Sequence, residues 1–443
     1  MKNHFKQILG PLFSSLLSEE QLVLNFQGEE SLFVRFNKSK VRQATNVLQM
    51  ELALTLKHKG KESKMTIPIN NSLKADLENC NLCLENLRQR LSALQTLPFF
   101  VDAENNGTSN SVYEGCLLSC EEYLDIIIPE IADVDMAGIL VSGTTFIGNG
   151  NSKGQFHWFE SSSFCFDYSL YNEKEKAVKA TYRGNSGTSF SRSEFVATLD
   201  EARTHLGFMS IDNKVLPPGK YKCYLAPAAV SEILDTFNGG GPSHSELKRG
   251  NSPLQLMKSE DSDLSKLFTL KEDFTLGLHP SFNDEGEVAC QSMKLFVNGK
   301  LDNLLTSSKT AKEFGLVSNF ANEQESMRSP VIETGKLAKE DILRELDNGI
   351  YISNLHYLNW SDSKKGRITG MTRFACFVVE NGKISAPIKD LRFDETIYNI
   401  WGANLLAVTD FAETEVSTNT YFQRSVGGTR CPGMLIKDFN FTL

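Results

Sequence analysis

The first half of the chain mixes strand-like and helix-like patterns. Apolar and polar residues alternate over 21–37 around Gly28 and over 50–69 around a turn near Gly60, which predicts antiparallel hairpins. Leucines at helical spacing predict a long amphipathic helix against this sheet over 73–94. Further helices are predicted over 116–131 and 193–206, with more strands between them. This half therefore predicts an α+β domain.

The N-terminal segment has its own helical pattern. Phe5, Leu9, Leu12 and Leu16 recur at helical spacing, and Glu19 and Glu20 follow without a small-residue cleavage site. We therefore expect an amphipathic helix of the mature fold, bent near Pro11, rather than a signal peptide. This expectation favours a cytoplasmic protein.

The pattern changes near residue 212, after which short strands predominate. A polar stretch at 239–266 (GGGPSHSELKRGNSPLQLMKSEDSDLSK) interrupts them and is a candidate lid or interface. A chain of 443 residues exceeds one ordinary core, so two domains are expected. We place them at 1–212 (α+β) and 213–443 (β-rich).

Composition excludes several classes of protein. A net charge of -9 disfavours binding to nucleic acid, and no apolar run approaches the ~20 residues that span a bilayer. The cysteines are odd in number and show no paired framework, which favours reduced thiols. These nine residues are Cys80, Cys83, Cys116, Cys120, Cys165, Cys223, Cys290, Cys376 and Cys431.

No familiar catalytic motif is visible in the residues alone. Cys80 and Cys83 form a C-x-x-C pair, but it lies in the predicted amphipathic helix, where buried thiols are expected. The string GNSG at 184–187 does not complete a nucleophile elbow and predicts a turn. Adjacent Asp284 and Glu285 also indicate a turn rather than an acid/base pair.

The histidines give no metal-binding helix either, because none stands three or four residues from another. They are His4, His58, His157, His205, His244, His279 and His356.

Four stretches of the second half carry a family resemblance. They are LPPGKYKCYLAPAAVSEIL (216–234), SFNDEGE (281–287) with VNGKLDNLL (297–305), GIYISNLHYLN (349–359) and GRITGMTRFACFVVENGKISAPIKDLRF (366–393). In order and content they resemble the TldD/PmbA family, known as modulators of DNA gyrase and as intracellular metallopeptidases. The resemblance implies a two-domain TldD/PmbA-like α+β fold, with antiparallel sheets and long amphipathic helices in the N-terminal half and a strand-rich C-terminal half.

The same resemblance implies a position for a zinc site. The zinc-bearing member has an H-E-x-x-x-H helix after the strand that KYKCYL matches, a late cysteine ligand, and the glutamate as general base. Here that motif is replaced by Asp235-Thr236-Phe237-Asn238-Gly239-Gly240. Asp235, Thr236 and Gly240 stand at the places of the two histidines and the glutamate, and Cys431 falls near the late cysteine. The chain therefore resembles the non-catalytic TldE/PmbA half, with no zinc of its own and Cys431 as a weak metal candidate.

This resemblance leaves three functions open. The first is a partner subunit that dimerises with a TldD-like zinc-bearing chain and helps to hold unfolded peptide. The second is a homodimeric metallopeptidase that recruits His244, Glu246 or Cys431 as ligands. The third is a peptide-binding module without a protease partner.

A binding mode for peptide is also expected. Extended peptide would add as a strand near 349–359 and 369–380, through backbone hydrogen bonds. The candidate contacts are Gly239, Gly240, Gly241, Tyr351, Thr372 and Arg373. Ordinary core strands and a helix C-cap explain the same residues.

Overall fold

The computed structural model describes residues 1–174, 176–184, 188–259, 262–417, 420 and 422–442. The predicted turn at 184–187 lies largely outside them. The α-helices of the described residues are α1 (Lys2–Ser14), α2 (Leu73–Ala93), α3 (Cys120–Glu130), α4 (Arg192–Met209), α5 (Pro227–Asn238), α6 (His244–Arg249), α7 (Gln255–Lys258), α8 (Ser308–Phe314) and α9 (Ile342–Leu346).

The strands of the same residues form two sheets. They are β1 (Gln21–Asn37), β2 (Lys40–His58), β3 (Lys61–Pro68), β4 (Thr108–Tyr113), β5 (Asp135–Asn151), β6 (Phe156–Tyr171), β7 (Ala177–Gly184), β8 (Gly219–Leu225), β9 (Leu270–Asp273), β10 (Ser292–Val297), β11 (Lys300–Leu301), β12 (Pro330–Ile332), β13 (Gly349–Asp362), β14 (Arg367–Glu380), β15 (Lys383–Pro387), β16 (Arg392–Thr396), β17 (Leu405–Val416) and β18 (Gly428–Phe441).

The first sheet draws its strands from the N-terminal half. Its order is β3-β2-β1-β5-β6-β4, with β7 also paired to β6, and the pairings are antiparallel except β4 with β6. The turns of the predicted hairpins lie at Lys38-Ser39 and Lys59-Gly60, whereas Gly28 lies inside β1 opposite Met50. The α+β character predicted for this half is confirmed.

Helices cover both ends of this sheet. The side chains of α1 and α2 pack with β1 and β2 in one core, where Cys80 and Cys83 are buried as predicted. The helix α1 continues through Pro11. A second core joins α3 and α4 to β5 and β6. The helix α3 begins later than the pattern predicted, because Ser119 and Glu122 form a capping box that fixes its start.

The second sheet belongs to the C-terminal half. Its order is β11-β10-β9-β12-β18-β16-β14-β13-β8, with β15 on β14 and β17 on β18. An added pairing of β18 with β8 closes a circuit of strands. Helix α5 buries Ile233, Leu234 and Phe237 in the core of this half. The β-rich character of this half is as predicted, and no helix in the described residues is long and apolar enough to cross a membrane.

The SFNDEGE segment joins the two halves. The Glu285 carboxylate lies 2.7 Å from the buried Lys57 ammonium, and the amides of Asn149 and Gln155 donate to the carbonyls of Asp284 and Glu285. Gly286 has φ +77°, and a Cβ there would lie 1.6 Å from the Gln155 amide nitrogen, so both the backbone conformation and this hydrogen bond favour glycine. Asp284 and Glu285 occupy a turn, as predicted.

The polar stretch at 239–266, the candidate lid or interface, packs against the protein body over its described residues. It forms α6 and α7, and Ser243 and Ser252 within it are fully buried. Ser243 caps α6 and donates to Glu325 at 2.7 Å. Residues 260–261 of this stretch lie outside the described residues. Serine caps satisfy the hydrogen bonds of backbone amides at helix starts, so a polar segment can be buried. The polar composition alone did not indicate this burial.

Candidate functional site

A cleft of about 1250 Å³ lies between the two halves. The N-terminal half lines it with β7 and α4, and the C-terminal half lines it with α5, β17 and residues 326–330. A cleft of this size at the junction of two domains is the usual place for a ligand. We therefore take it as the candidate site.

Helix α5 presents one face to this cleft. Its lining residues recur every three or four positions, so they share one side of the helix, while the opposite side is buried in the core. Pro227 begins the helix directly after β8, which fixes how α5 enters the cleft. The lining residues of α5 are Pro227, Ala228, Ser231, Glu232, Asp235 and Asn238.

Two hydrogen-bonded contacts anchor α5 within the site. The hydroxyl oxygens of Ser231 and Thr429 are 2.6 Å apart. The Asn238 side chain accepts from the Met327 amide at 2.6 Å and donates to the Met327 carbonyl at 2.9 Å. These contacts tie the helix to β18 and to the segment before β12.

The three positions that replace the zinc motif lie in different environments. Asp235 faces the cleft. Thr236 does not line it, and its hydroxyl donates to the Glu232 carbonyl at 3.0 Å. Gly240 lies beyond the helix end with φ +98°. Only one of the three therefore presents a polar side chain to the site.

The glycines after α5 form its C-terminal end. The Gly239 amide donates to the Thr236 carbonyl, and the Gly241 amide donates to the Phe237 carbonyl at 2.8 Å. A Cβ on Gly241 would lie 2.4 Å from the Phe237 ring. The residues 239–241 do not line the cleft.

Cys431 on β18 shares a hydrophobic core with α5, the helix that the family motif occupies. It is fully buried on β18, and burial is the main cause of the raised pKa of its thiol, with further contributions from Glu415 and Asp235. The structure therefore brings Cys431 within electrostatic range of Asp235, and the raised pKa keeps its thiol protonated.

The residues present do not fit a zinc ion. Across the part of the chain that the structure describes, no three His, Cys, Asp or Glu side chains come together in a way that could hold a metal. The alternative ligand set is not assembled either: His244 and Glu246 are on α6, and the His244 ring contacts Thr306 at 3.0 Å.

Charged side chains cross the cleft from one half to the other. Arg183 on β7 forms a bidentate ion pair with Glu415 on β17, and its guanidinium lies 3.9 Å from Glu413. On another side, Lys339 lies 3.1 Å from Glu201 of α4. The two halves therefore face each other through ion pairs at the cleft.

The ionised form is disfavoured in three carboxylates of the cleft, those of Glu232, Asp235 and Glu413. Desolvation, then repulsion from Glu232 and Glu415, raises the pKa of Asp235 to about 6. The pKa values of Glu232 and Glu413 are raised too, chiefly by desolvation. The Asp235 side chain is exposed to the cleft. The protein around the cleft still displaces part of the water near its carboxylate, and this is the desolvation that raises its pKa.

Two strands present unpaired edges to the cleft. Among the described residues β7 pairs only with β6, and residues 412–416 of β17 pair only with β18. Residues of both segments line the cleft. Such edges carry free backbone donors and acceptors.

The predicted peptide contacts divide between the cleft and the body of the protein. Tyr351 lines the cleft, with its ring 5.3 Å from that of Tyr224. Thr372 is buried and its hydroxyl accepts from the Leu391 amide, and Arg373 contacts His356 at 2.7 Å. Neither Thr372 nor Arg373 lines the cleft.

The strand that carries Thr372 and Arg373 has no free edge for a peptide. β14 pairs with β13 on one side and with β15 and β16 on the other. Strand addition at 369–380, as the sequence suggested, therefore does not match the pairing. Arg183, Glu413 and Glu415 were not predicted as site residues from the sequence, although the last two stand two positions apart on one strand and so share a face.

A known protein family matches the C-terminal half of the chain. The family model described as PmbA/TldA metallopeptidase C-terminal domain matches residues 218–443, just over half of the chain. A search of curated proteins finds no match.

Three solved structures share the fold. A TldE from Thermococcus kodakarensis has a TM-score of 0.76 at 13% identity, over 99% of this chain and 100% of that one. A putative modulator of DNA gyrase from Bacteroides thetaiotaomicron has a TM-score of 0.75 at 18% identity, over 100% and 98%. Another from Thermotoga maritima has a TM-score of 0.72 at 16% identity, over 100% of both chains. The chain therefore belongs to the PmbA/TldD metallopeptidase family.

Proposed function

We propose that this chain is a non-catalytic, peptide-binding member of its family, similar to the TldE/PmbA half, and that unfolded peptide binds in the cleft between its two halves. The observation that carries the proposal is the pair of unpaired strand edges, β7 and β17, that face the same cleft. A peptide strand beside either edge would gain backbone hydrogen bonds, which every sequence offers.

The absence of a catalytic role is the second part of the proposal. Asp235, Thr236 and Gly240 replace the family's ligands and base, and the described residues offer no alternative metal-binding group. We expect less than one zinc per ten chains by elemental analysis of the purified protein, as an order of magnitude for a site without three ligands. About one zinc per chain that is lost in Cys431→Ala would contradict this part.

The partner is the third part of the proposal. We infer that the chain forms a dimer with a zinc-bearing TldD-like subunit, or with a second copy of itself, in the cytoplasm. Support comes from the family resemblance and from the free thiols, which suit a reducing compartment. Light scattering that shows a monomer at micromolar concentration, both alone and with a zinc-bearing homologue, would contradict it.

A binding titration tests the peptide-binding part. Ala197 is exposed on α4 and lines the cleft, so Ala197→Trp would place an indole where peptide is expected. Ala93 is exposed at the end of α2 outside the cleft, and Ala93→Trp is the matched control. We expect the cleft variant to lower the affinity for a fluorescein-labelled unstructured peptide by about tenfold or more, and the control to leave it unchanged. Equal affinities of the two variants would contradict the cleft as the binding site.

A further inference from the structure

Four carboxylates line one wall of the cleft, and we call them the acidic wall: Glu232 and Asp235 on α5, and Glu413 and Glu415 on β17. Each of the other three lies within electrostatic range of Glu415. The wall therefore concentrates negative charge at the point where α5 and β17 meet the open space of the cleft.

Arg183, a cation of the N-terminal half, forms an ion pair with the acidic wall. Arg183 reaches from β7, its side chain only 12% exposed, and forms the bidentate pair with Glu415. Bidentate geometry is specific to a guanidinium against a carboxylate. The cleft thus already holds an arginine side chain that arrives across the gap where a peptide strand is expected.

The remaining cations near the wall are engaged elsewhere. Lys179 lies 3.4 Å from Asp167, and the Arg430 guanidinium donates to the Thr414 hydroxyl at 3.3 Å. Lys179 and Lys339 still attract Glu232 and Glu413 at longer range. Among the described residues, however, neither Glu232 nor Asp235 has a cation within ion-pair distance.

We propose that the acidic wall is a subsite for an arginine or lysine side chain of the bound peptide, and that Arg183 holds part of this subsite while no peptide is bound. The inference rests on the proposed peptide-binding function and names the substrate class of the same cleft. Backbone pairing with β7 or β17 would accept any sequence, whereas the acidic wall would favour peptides with a basic residue at one position.

The test compares two fluorescein-labelled unstructured peptides that differ only in a central arginine or norleucine. At low salt we expect the full-length protein to bind the arginine peptide about fivefold more tightly, as one partly exposed ion pair provides. Because screening weakens such a pair, the ratio should fall as salt is added.

Variants assign the preference to the acidic wall. The double variant Asp235→Asn, Glu413→Gln should bring the ratio of affinities to about one. Arg183→Met should increase the affinity for the arginine peptide, because it frees Glu415. Glu78→Gln, an exposed position on α2 outside the cleft, is the matched control and should keep the ratio of the unaltered protein.

Each outcome decides between the two proposals. Equal binding of both peptides, or a preference that persists in the double variant, would overturn the subsite and leave peptide binding in the cleft intact. If neither peptide binds, both the subsite and the proposed function fall. If Arg183→Met unfolds, the double variant, which retains the Arg183–Glu415 pair, still decides the question.

Discussion

At the scale of single residues, Asp235 is the one replaced motif position whose polar side chain faces the cleft. The family resemblance placed it at a ligand position, and the structure places its carboxylate in the cleft beside other carboxylates. Thr236 follows at the next helical position, about 100° around the axis, and so it cannot face the same space. The sequence could predict which residues replace the motif, but not that Asp235 alone would remain at the site.

The raised pKa of Asp235 makes the protein's stability depend on pH. The folded protein keeps this proton up to about pH 6, whereas the unfolded chain releases it near pH 4. Ionisation of Asp235 therefore destabilises the folded state as pH rises through this window, and the destabilisation persists above it. Asp235→Asn removes the ionisation, so its Tm should match that of the unaltered protein near pH 4 and exceed it above about pH 6.

Thermal unfolding across this pH range measures the effect. Thr236→Val is the control, because neither its hydroxyl nor its replacement titrates and its change in Tm should not vary in the same way with pH. A lower Tm of Asp235→Asn at neutral pH, or a difference that is constant with pH, would contradict the account.

At the scale of elements, hydrophobic periodicity predicted the helices α1 to α4 and strands of the first sheet, but not the short helices α6 to α9. Local chemistry then set the ends, as at the capping box of α3 and at the glycines that end α5. For those glycines the sequence left two explanations open, a close approach of peptide or a helix C-cap. The contacts of Gly241 with Phe237 favour the C-cap, and none of the three glycines is among the residues that line the cleft.

Two substitutions at the end of α5 separate steric from conformational demands. Gly241→Ala would push a Cβ to 2.4 Å from both the ring and the backbone carbonyl of Phe237. We expect it to lower the free energy of unfolding by about 2 kcal/mol or more. Gly240→Ala has space around the Cβ but a positive φ, so about 1 kcal/mol is expected. Urea unfolding that ranks Gly240→Ala as the more damaging would contradict this explanation.

The sequence could not predict which strands pair with one another in the two sheets. Alternation indicates that a segment is a strand, but the edges of β7 and β14 are decided by partners far along the chain. The sequence suggested that peptide adds at 369–380, but this segment belongs to the interior strand β14. β7, which the sequence did not single out, forms an edge at the cleft. The ion pair of Arg183 with Glu415 also joins residues more than 200 positions apart, and local patterns do not encode such a contact.

At the scale of the whole molecule, the SFNDEGE turn is one of the contacts through which the two halves meet. Lys57 is 1% exposed and pairs with Glu285 at 2.7 Å, while Glu62 lies farther from the same ammonium, at 3.8 Å. If Glu285 loses its charge, the buried Lys57 ammonium retains its desolvation cost and keeps only the Val101 carbonyl, at 2.9 Å, and the more distant Glu62 as partners. The sequence correctly predicted a turn here, but the partner strand that gives the turn its role was not visible.

Removal of the Glu285 charge should therefore weaken the junction. We expect Glu285→Gln to lower the free energy of unfolding by about 3 kcal/mol, as for a broken buried pair. Glu62→Gln is the matched control, and about 0.5 kcal/mol is expected because its carboxylate is more exposed and more distant. Equal losses in the two variants by urea unfolding would show that the Lys57–Glu285 pair does not hold the halves together.

The central claim is that extended peptide binds at the strand edges inside the cleft. Hydrogen exchange of the protein with and without an unstructured peptide tests this claim directly. We expect added protection in β7 and in residues 412–416 of β17, and none in β3, whose free edge belongs to the same first sheet but lies outside the cleft. Protection that is absent from both cleft edges, or that appears equally in β3, would contradict the claim.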